Sequence, residues 1–190
     1  MSVKEYVSYS IAKSRFVENP IITNEQVPSK DIGDVTEKLR NDIKEEYGVN
    51  ISGYIHQIKD NDIRHIFNRH GPHTKEKYPV TAKDLAEIPD IIANYDDVYI
   101  VKNNGKTGIF YKKRHNGVTF YLEAIDEDGK HLSNKQMIKV ATGEIPDIKS
   151  LKEAIQNKKE QLIPYQVMQL ILSPSCTSKT LKPIILLIQM

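Results

Sequence analysis

The stretch from Val98 to Glu144 constrains the fold more than any other. Four runs rich in β-branched and aromatic residues, VYIVKN, KTGIFYKKRH, VTFYLEAID and QMIKVATGE, are separated by the turn sequences NNGK, HNGV and DEDGK. Asn-Gly and Asp-Gly supply the positive φ angles that tight hairpins require. The stretch therefore predicts a meander of about four antiparallel strands.

The sequence before it has a helical period. In DVTEKLRNDIKEEYG, Asp34 is a candidate cap, Val35, Leu39 and Ile43 share a face, and Gly48 ends the pattern. VNISGYIHQI reads as a short extended piece. A second helix starts at Asp60 or Asn61, buries Ile63, Ile66 and Phe67, and stops at Gly71-Pro72. Thr81 and Asp84 form a variant capping box. The pentapeptide EIPDI at 87–91 returns at 144–148. Its surroundings differ, and proline at a helix start accounts for both copies. IKSLKEAIQNKKEQLI predicts a closing helix. Residues 1–33 read as an arm or linker with room for a short helix. The expectation is an α+β domain, N-terminal helices packed on a roughly four-stranded antiparallel sheet with a closing C-terminal helix.

A chain of 190 residues suits one domain with extra length at its ends. The net charge of +2 selects no partner, so local charge matters more. One basic cluster is Arg64, Arg69, Lys75 and Lys77; another is Lys112, Lys113, Arg114 and His115. Each fits either a solvated face or a phosphate-binding patch. The single cysteine, Cys176, excludes an intrachain disulfide and favours a reducing compartment. The N-terminus lacks the apolar core of a signal peptide, and the apolar 181–190 tail is too short to span a bilayer. These features lead us to expect a cytoplasmic protein without a membrane partner. No Gly-x-Gly-x-x-Gly, P-loop or His-Glu-x-x-His motif occurs.

Three of the six histidines, His56, His65 and His70, crowd into YIHQIKDNDIRHIFNRHG. At about 100° per residue, His65 and His70 differ by about 140° around a helix, so one metal ion hardly reaches both. His56 and His73 remain available to complete a metal set with one of them, the third-ranked reading. Acid–base chemistry is the stronger reading. Cutting RNA without a metal needs one group to take the ribose 2′-OH proton, another to protonate the leaving 5′-oxygen, and a cation near the phosphoryl oxygens. His56, His65, His70, Arg69, Lys113, Tyr111, Tyr121 and Thr142 could supply that chemistry, with Arg64, Lys112, Arg114 and His115 holding RNA. A lone histidine at a helix end is more often a cap or packing residue, so the combination carries the argument.

Strand alternation groups these residues. Tyr111, Lys113 and His115 share one face of their strand and are expected to line a polar floor. Lys112 and Arg114 lie on the other, with a solvated face as the plainer reading. Thr119, Tyr121 and Glu123 are co-facial, as are Ile138, Val140 and Thr142.

The segment SGYIHQIKDNDIRHIFNRHG, followed by VTAKDLAEIPDIIANYDDV and the meander, resembles the signature of phage-type barnase–EndoU–colicin–RelE-like nuclease domains over about residues 34–180. The resemblance implies a metal-independent ribonuclease of phage and mobile elements, toxin-like, using no cofactor. Residues 181–190 would form an apolar tail outside it. It carries over His56, His65 and His70 with Arg69. It also carries over Thr177, Ser178 and Thr180 from a Thr-Ser-Glu-Thr-like tail motif, in which Lys179 replaces the expected acid. A cognate inhibitor protein would accompany a free toxin, in a bacterial host cell or after phage delivery. The rival reading is a non-catalytic module that binds RNA or a phage protein through the same basic surface.

Overall fold

The computed structural model describes residues 1–172, apart from 24, 26, 104 and 116, and not the side chains of 103 and 161–172. Cys176, Thr177, Ser178, Thr180 and the 181–190 tail lie outside the described residues. The elements run α1 (Val3–Ala12), β1 (Lys30–Asp34), α2 (Glu37–Tyr47), β2 (Ile55–Ile58), α3 (Asp60–His70), α4 (Ala82–Ala86), α5 (Ile88–Ala93), β3 (Asp97–Asn103), β4 (Lys106–Arg114), β5 (Val118–Ile125), β6 (His131–Val140) and α6 (Lys149–Leu172). No helix among the described residues is long and apolar enough to cross a membrane.

The α+β class holds, but the sheet has six strands rather than four, in the order β1-β2-β6-β5-β4-β3. The predicted meander is β3 to β6, every neighbouring pair antiparallel. The extended piece before α3 becomes β2, which pairs parallel with β6, and β1 adds antiparallel to β2. Parallel pairing joins Ile55 to His131, a contact that no local turn sequence announces.

Helices cover both faces. One layer gathers Tyr6, Val7, Leu39, Ile43, Ile63, Ile66, Leu85 and Ile88 from α1 to α5 against Ile109, Tyr111, Tyr121 and Met137 of the sheet. The other packs Leu151, Ala154 and Ile155 of α6 on Tyr99, Val101, Phe110, Val118 and Phe120. Each fully buried aliphatic side chain contributes about 1.5–3 kcal/mol. The first 33 residues are not simply an arm. Ser2 opens α1 with a capping box, and Tyr6 and Val7 are each 1% exposed inside the first layer.

Local chemistry sets the helix ends. Thr36, rather than Asp34, caps α2 through Leu39 N–H, and Gly48 closes it at φ +67°, a left-handed angle that favours glycine. Thr81 and Asp84 cap α4 reciprocally, and Pro89 stands in the first turn of α5. The second EIPDI copy does otherwise: Pro146 sits in a turn before α6, its carbonyl accepting from Ile148 N–H. Asp60 is the first residue of α3, not its side-chain cap. Its carboxylate instead accepts from Lys13 at 3.0 Å and Arg64 at 3.3 Å, tying the end of α1 to α3.

Candidate functional site

Two recesses each gather three of the candidate residues read from the sequence. The first lies against the C-terminal half of α3. His65, Arg69 and His70 line a cavity of about 190 Å³ with Leu122 of β5 and Lys135 and Gln136 of β6. His65 and Arg69 are four residues apart, so both project from one side of the helix, and both are exposed. His70 is the last helical residue and reaches the same cavity despite its angular offset from His65. Its Nδ1 lies 2.6 Å from Glu76 Oε1, across the turn that Gly71 opens. A carboxylate accepts only, so Nδ1 carries the proton and Nε2 is left as the acceptor.

The sheet contributes Lys135 through an irregularity. Leu122 pairs with Gln136, but the next residue, Glu123, pairs with Asn134, leaving Lys135 as an extra residue. Such a bulge re-aims a side chain. Lys135 turns to α3, where its Nζ meets Asp62 Oδ2 at 2.7 Å. Lys59 N–H donates to Asn134 Oδ1 at 2.8 Å beside it, and Lys59 Nζ to Asp126 at 2.6 Å. These bonds fix the start of α3 against the bulge. Arg64 is spent on Asp60 and Asn61 and lines a different recess.

The second recess, about 440 Å³, lies between α6 and the outer face of β3 to β5. Lys112, Arg114 and Thr142 line it with Tyr99, Val118 and Phe120 from the sheet, and Ile155, Lys158 and Lys159 from α6. Lys158 is held by Glu46 at 2.9 Å and Asp97 at 3.1 Å. Burial pulls its pKa down, but these bonds outweigh that and hold it above the ordinary lysine value. Burial, then the Asp97 carboxylate, pushes the neighbouring Tyr99 hydroxyl far up, so it stays protonated.

The expected polar floor of Tyr111, Lys113 and His115 does not form. Tyr111 and Tyr121 are completely buried on the face under α1 to α5. Both hydroxyls donate to Glu123, from Tyr111 to Oε2 at 2.8 Å and from Tyr121 to Oε1 at 3.3 Å. His56 joins the same carboxylate through Nδ1 at 2.8 Å and is 2% exposed. Burial, then the Glu123 charge, drives both tyrosine pKa values well above the ordinary value. Lys113, on that face too, donates to the Asn94 carbonyl at the end of α5. His115 is exposed beyond the end of β4. The physical reason is the aromatic supply: with no tryptophan, four phenylalanines and ten tyrosines, the core uses tyrosine. A buried carboxylate then satisfies the hydroxyls.

The three imidazoles of the opening motif thus divide. His65 and His70 share a cavity, while His56 sits in the closed network. His73 stacks on Phe16 with ring centroids 4.0 Å apart. Among the described residues, no three His, Cys, Asp or Glu side chains stand together as a metal set. Sequence reasoning missed Glu76, Lys135 and the α6 lysines. Glu76, six residues after a candidate histidine and across a Gly-Pro turn, was the only one with a local signal.

A family model described as phage-Barnase-EndoU-ColicinE5/D-RelE like nuclease3 matches residues 33–147, more than half of the 190. No curated protein and no solved structure matches the chain.

Proposed function

Since the chain belongs to the phage-Barnase-EndoU-ColicinE5/D-RelE like nuclease3 family, we propose that it is an endoribonuclease that cuts RNA by metal-independent transesterification in the α3 cavity. Nε2 of His70 takes the proton of the ribose 2′-OH, its ring held by Glu76. The 2′-oxygen attacks the adjacent phosphorus and the bond to the 5′-oxygen breaks. His65 protonates that leaving oxygen. The products are a 2′,3′-cyclic phosphate and a free 5′-hydroxyl. Arg69 and Lys135 stabilise the negative charge that builds on the phosphoryl oxygens. Need for a 2′-OH makes RNA the substrate.

The observation that carries this reading is the convergence of two imidazoles, Arg69 and the bulged Lys135 on one cavity, with one imidazole braced by a carboxylate. A nucleophile or base within reach of a third, orienting group is the recurrent pattern of acid–base sites.

The test uses end-labelled RNA and purified protein in EDTA. The expected result is cleavage to cyclic-phosphate ends, with each of His65→Ala and His70→Ala slowing kcat by about 10²–10⁴-fold. RNA left intact in EDTA and cut only after a divalent ion is added would overturn the mechanism. A variant pair that binds RNA like the parent, in a parent that never cuts, would leave the rival binding module standing.

A further inference from the structure

The recess under α6 is larger than the α3 cavity and has more apolar wall. Its walls are apolar at Val118, Ile145 and Ile155, and Ile145 is 42% exposed at the rim. Its cations outnumber its carboxylates: Lys112, Arg114, Lys158 and Lys159 face Asp97 and Glu144. Asp97 is engaged by Lys158 at 3.1 Å and lies 3.8 Å from Lys112. Glu144 accepts from Ala141 N–H at 3.1 Å. Among the described residues, the Arg114 guanidinium and the Lys159 ammonium have no carboxylate partner. A cavity with apolar walls and two uncommitted cations at its mouth suits a flat ring that carries a phosphate.

Its position connects it to the chemistry. Phe120 lines this recess and Leu122 lines the histidine cavity. The two residues point to the same face of β5, and Leu122 packs against the α6-side apolar layer. Two residues along a strand span about 7 Å, so the two recesses meet β5 at consecutive residues of one of its faces. Ile155, Lys158 and Lys159 lie beyond residue 147, outside the family match.

We propose that the α6 recess seats one unpaired nucleotide adjacent to the scissile phosphate, base against the apolar walls and phosphate on Arg114 and Lys159, so that the substrate is single-stranded RNA. This rests on the nuclease reading above. A cavity of about 440 Å³ admits one nucleotide unit. A base within a duplex would first have to unpair and unstack, at a cost of a few kcal/mol. Helix α6 is thus a selectivity element added to the sheet.

The test is fluorescence anisotropy of the full chain with a labelled single-stranded 2′-deoxy oligonucleotide, which lacks the reacting hydroxyl, and with its duplex. The expected result is clear preference for the single strand. Arg114→Ala with Lys159→Ala should weaken it about tenfold. The double change should also reduce the slope of log affinity against log salt by about 0.7, because one phosphate is no longer neutralised. Ile145→Trp, at an exposed rim position, should weaken binding without changing charge. Equal affinity for duplex, or unchanged binding and salt slope in these variants, would overturn the nucleotide seat. His65→Ala should bind like the parent and fail to cut RNA. Full cleavage by His65→Ala would instead overturn the reading of the histidine cavity, so the two failures are distinguishable.

Discussion

The two faces of the sheet use similar residues to opposite ends. On the face under α1 to α5, His56, Tyr111, Tyr121 and Glu123 form a sealed network. On the face under α6, Lys112, Arg114 and Thr142 border an open recess. The first face hides imidazole, phenol and carboxylate around Glu123, with His56 Nε2 the one ring atom of the network left without a partner among the described residues. The second leaves cations where solvent or a ligand must satisfy them. Residue chemistry alone does not distinguish an acid–base site from a core. What distinguishes them is whether the polar atoms have internal partners.

The sharpest break between the faces is Glu123→Ala. Removing the carboxylate leaves two buried hydroxyls and an imidazole without their acceptor, and should cost about 3–5 kcal/mol in urea unfolding. A loss below about 1 kcal/mol would mean that the network is not closed, and the contrast would fail.

Next in size is Gly71→Ala, at the turn that brings Glu76 to His70. A Cβ there would collide with the Phe67 carbonyl oxygen, so the turn must shift. The expected cost is about 1–3 kcal/mol in urea unfolding, with a fall in kcat if the turn sets the His70–Glu76 bond.

A pH titration sharpens the comparison further. Burial, then the Glu123 charge, holds Tyr111 and Tyr121 protonated well above the ordinary tyrosine value of 10.0. In the unfolded chain they ionise near that value. The folded state then binds more protons, so stability falls as pH rises above about 10. Phenolate absorbance should show Tyr111 and Tyr121 among the tyrosines that ionise only with unfolding, together with Tyr95 and Tyr99, whose burial and neighbouring carboxylates also push them up. Two early-titrating rings in their place would show the network open to water.

The smallest expected effect separates adjacent residues of β4. Lys113→Ala loses the bond to the Asn94 carbonyl and should lower stability by about 0.5–1.5 kcal/mol. Lys112→Ala should change stability by less than about 0.5 kcal/mol, as its nearest carboxylate is 3.8 Å away, yet weaken oligonucleotide binding. Equal effects on both readouts would erase the difference between the faces at β4.

The amino-acid sequence by itself determined the local pieces. Turn chemistry set the four meander strands, period-3.6 burial set α2 and α3, and Thr81 with Asp84 set the start of α4, because each depends on residues close along the chain. Alternation also determined that Lys112 and Arg114 oppose Tyr111 and Lys113. It carried no information about which face α1 to α5 would seal and which α6 would leave partly open. That was decided by tertiary packing, as were the parallel β2–β6 pair, the burial of His56, the α1 contacts and the bulge that turns Lys135 to α3. Each depends on which residues distant in sequence exclude water from the same polar atom, and spacing along the chain does not encode that.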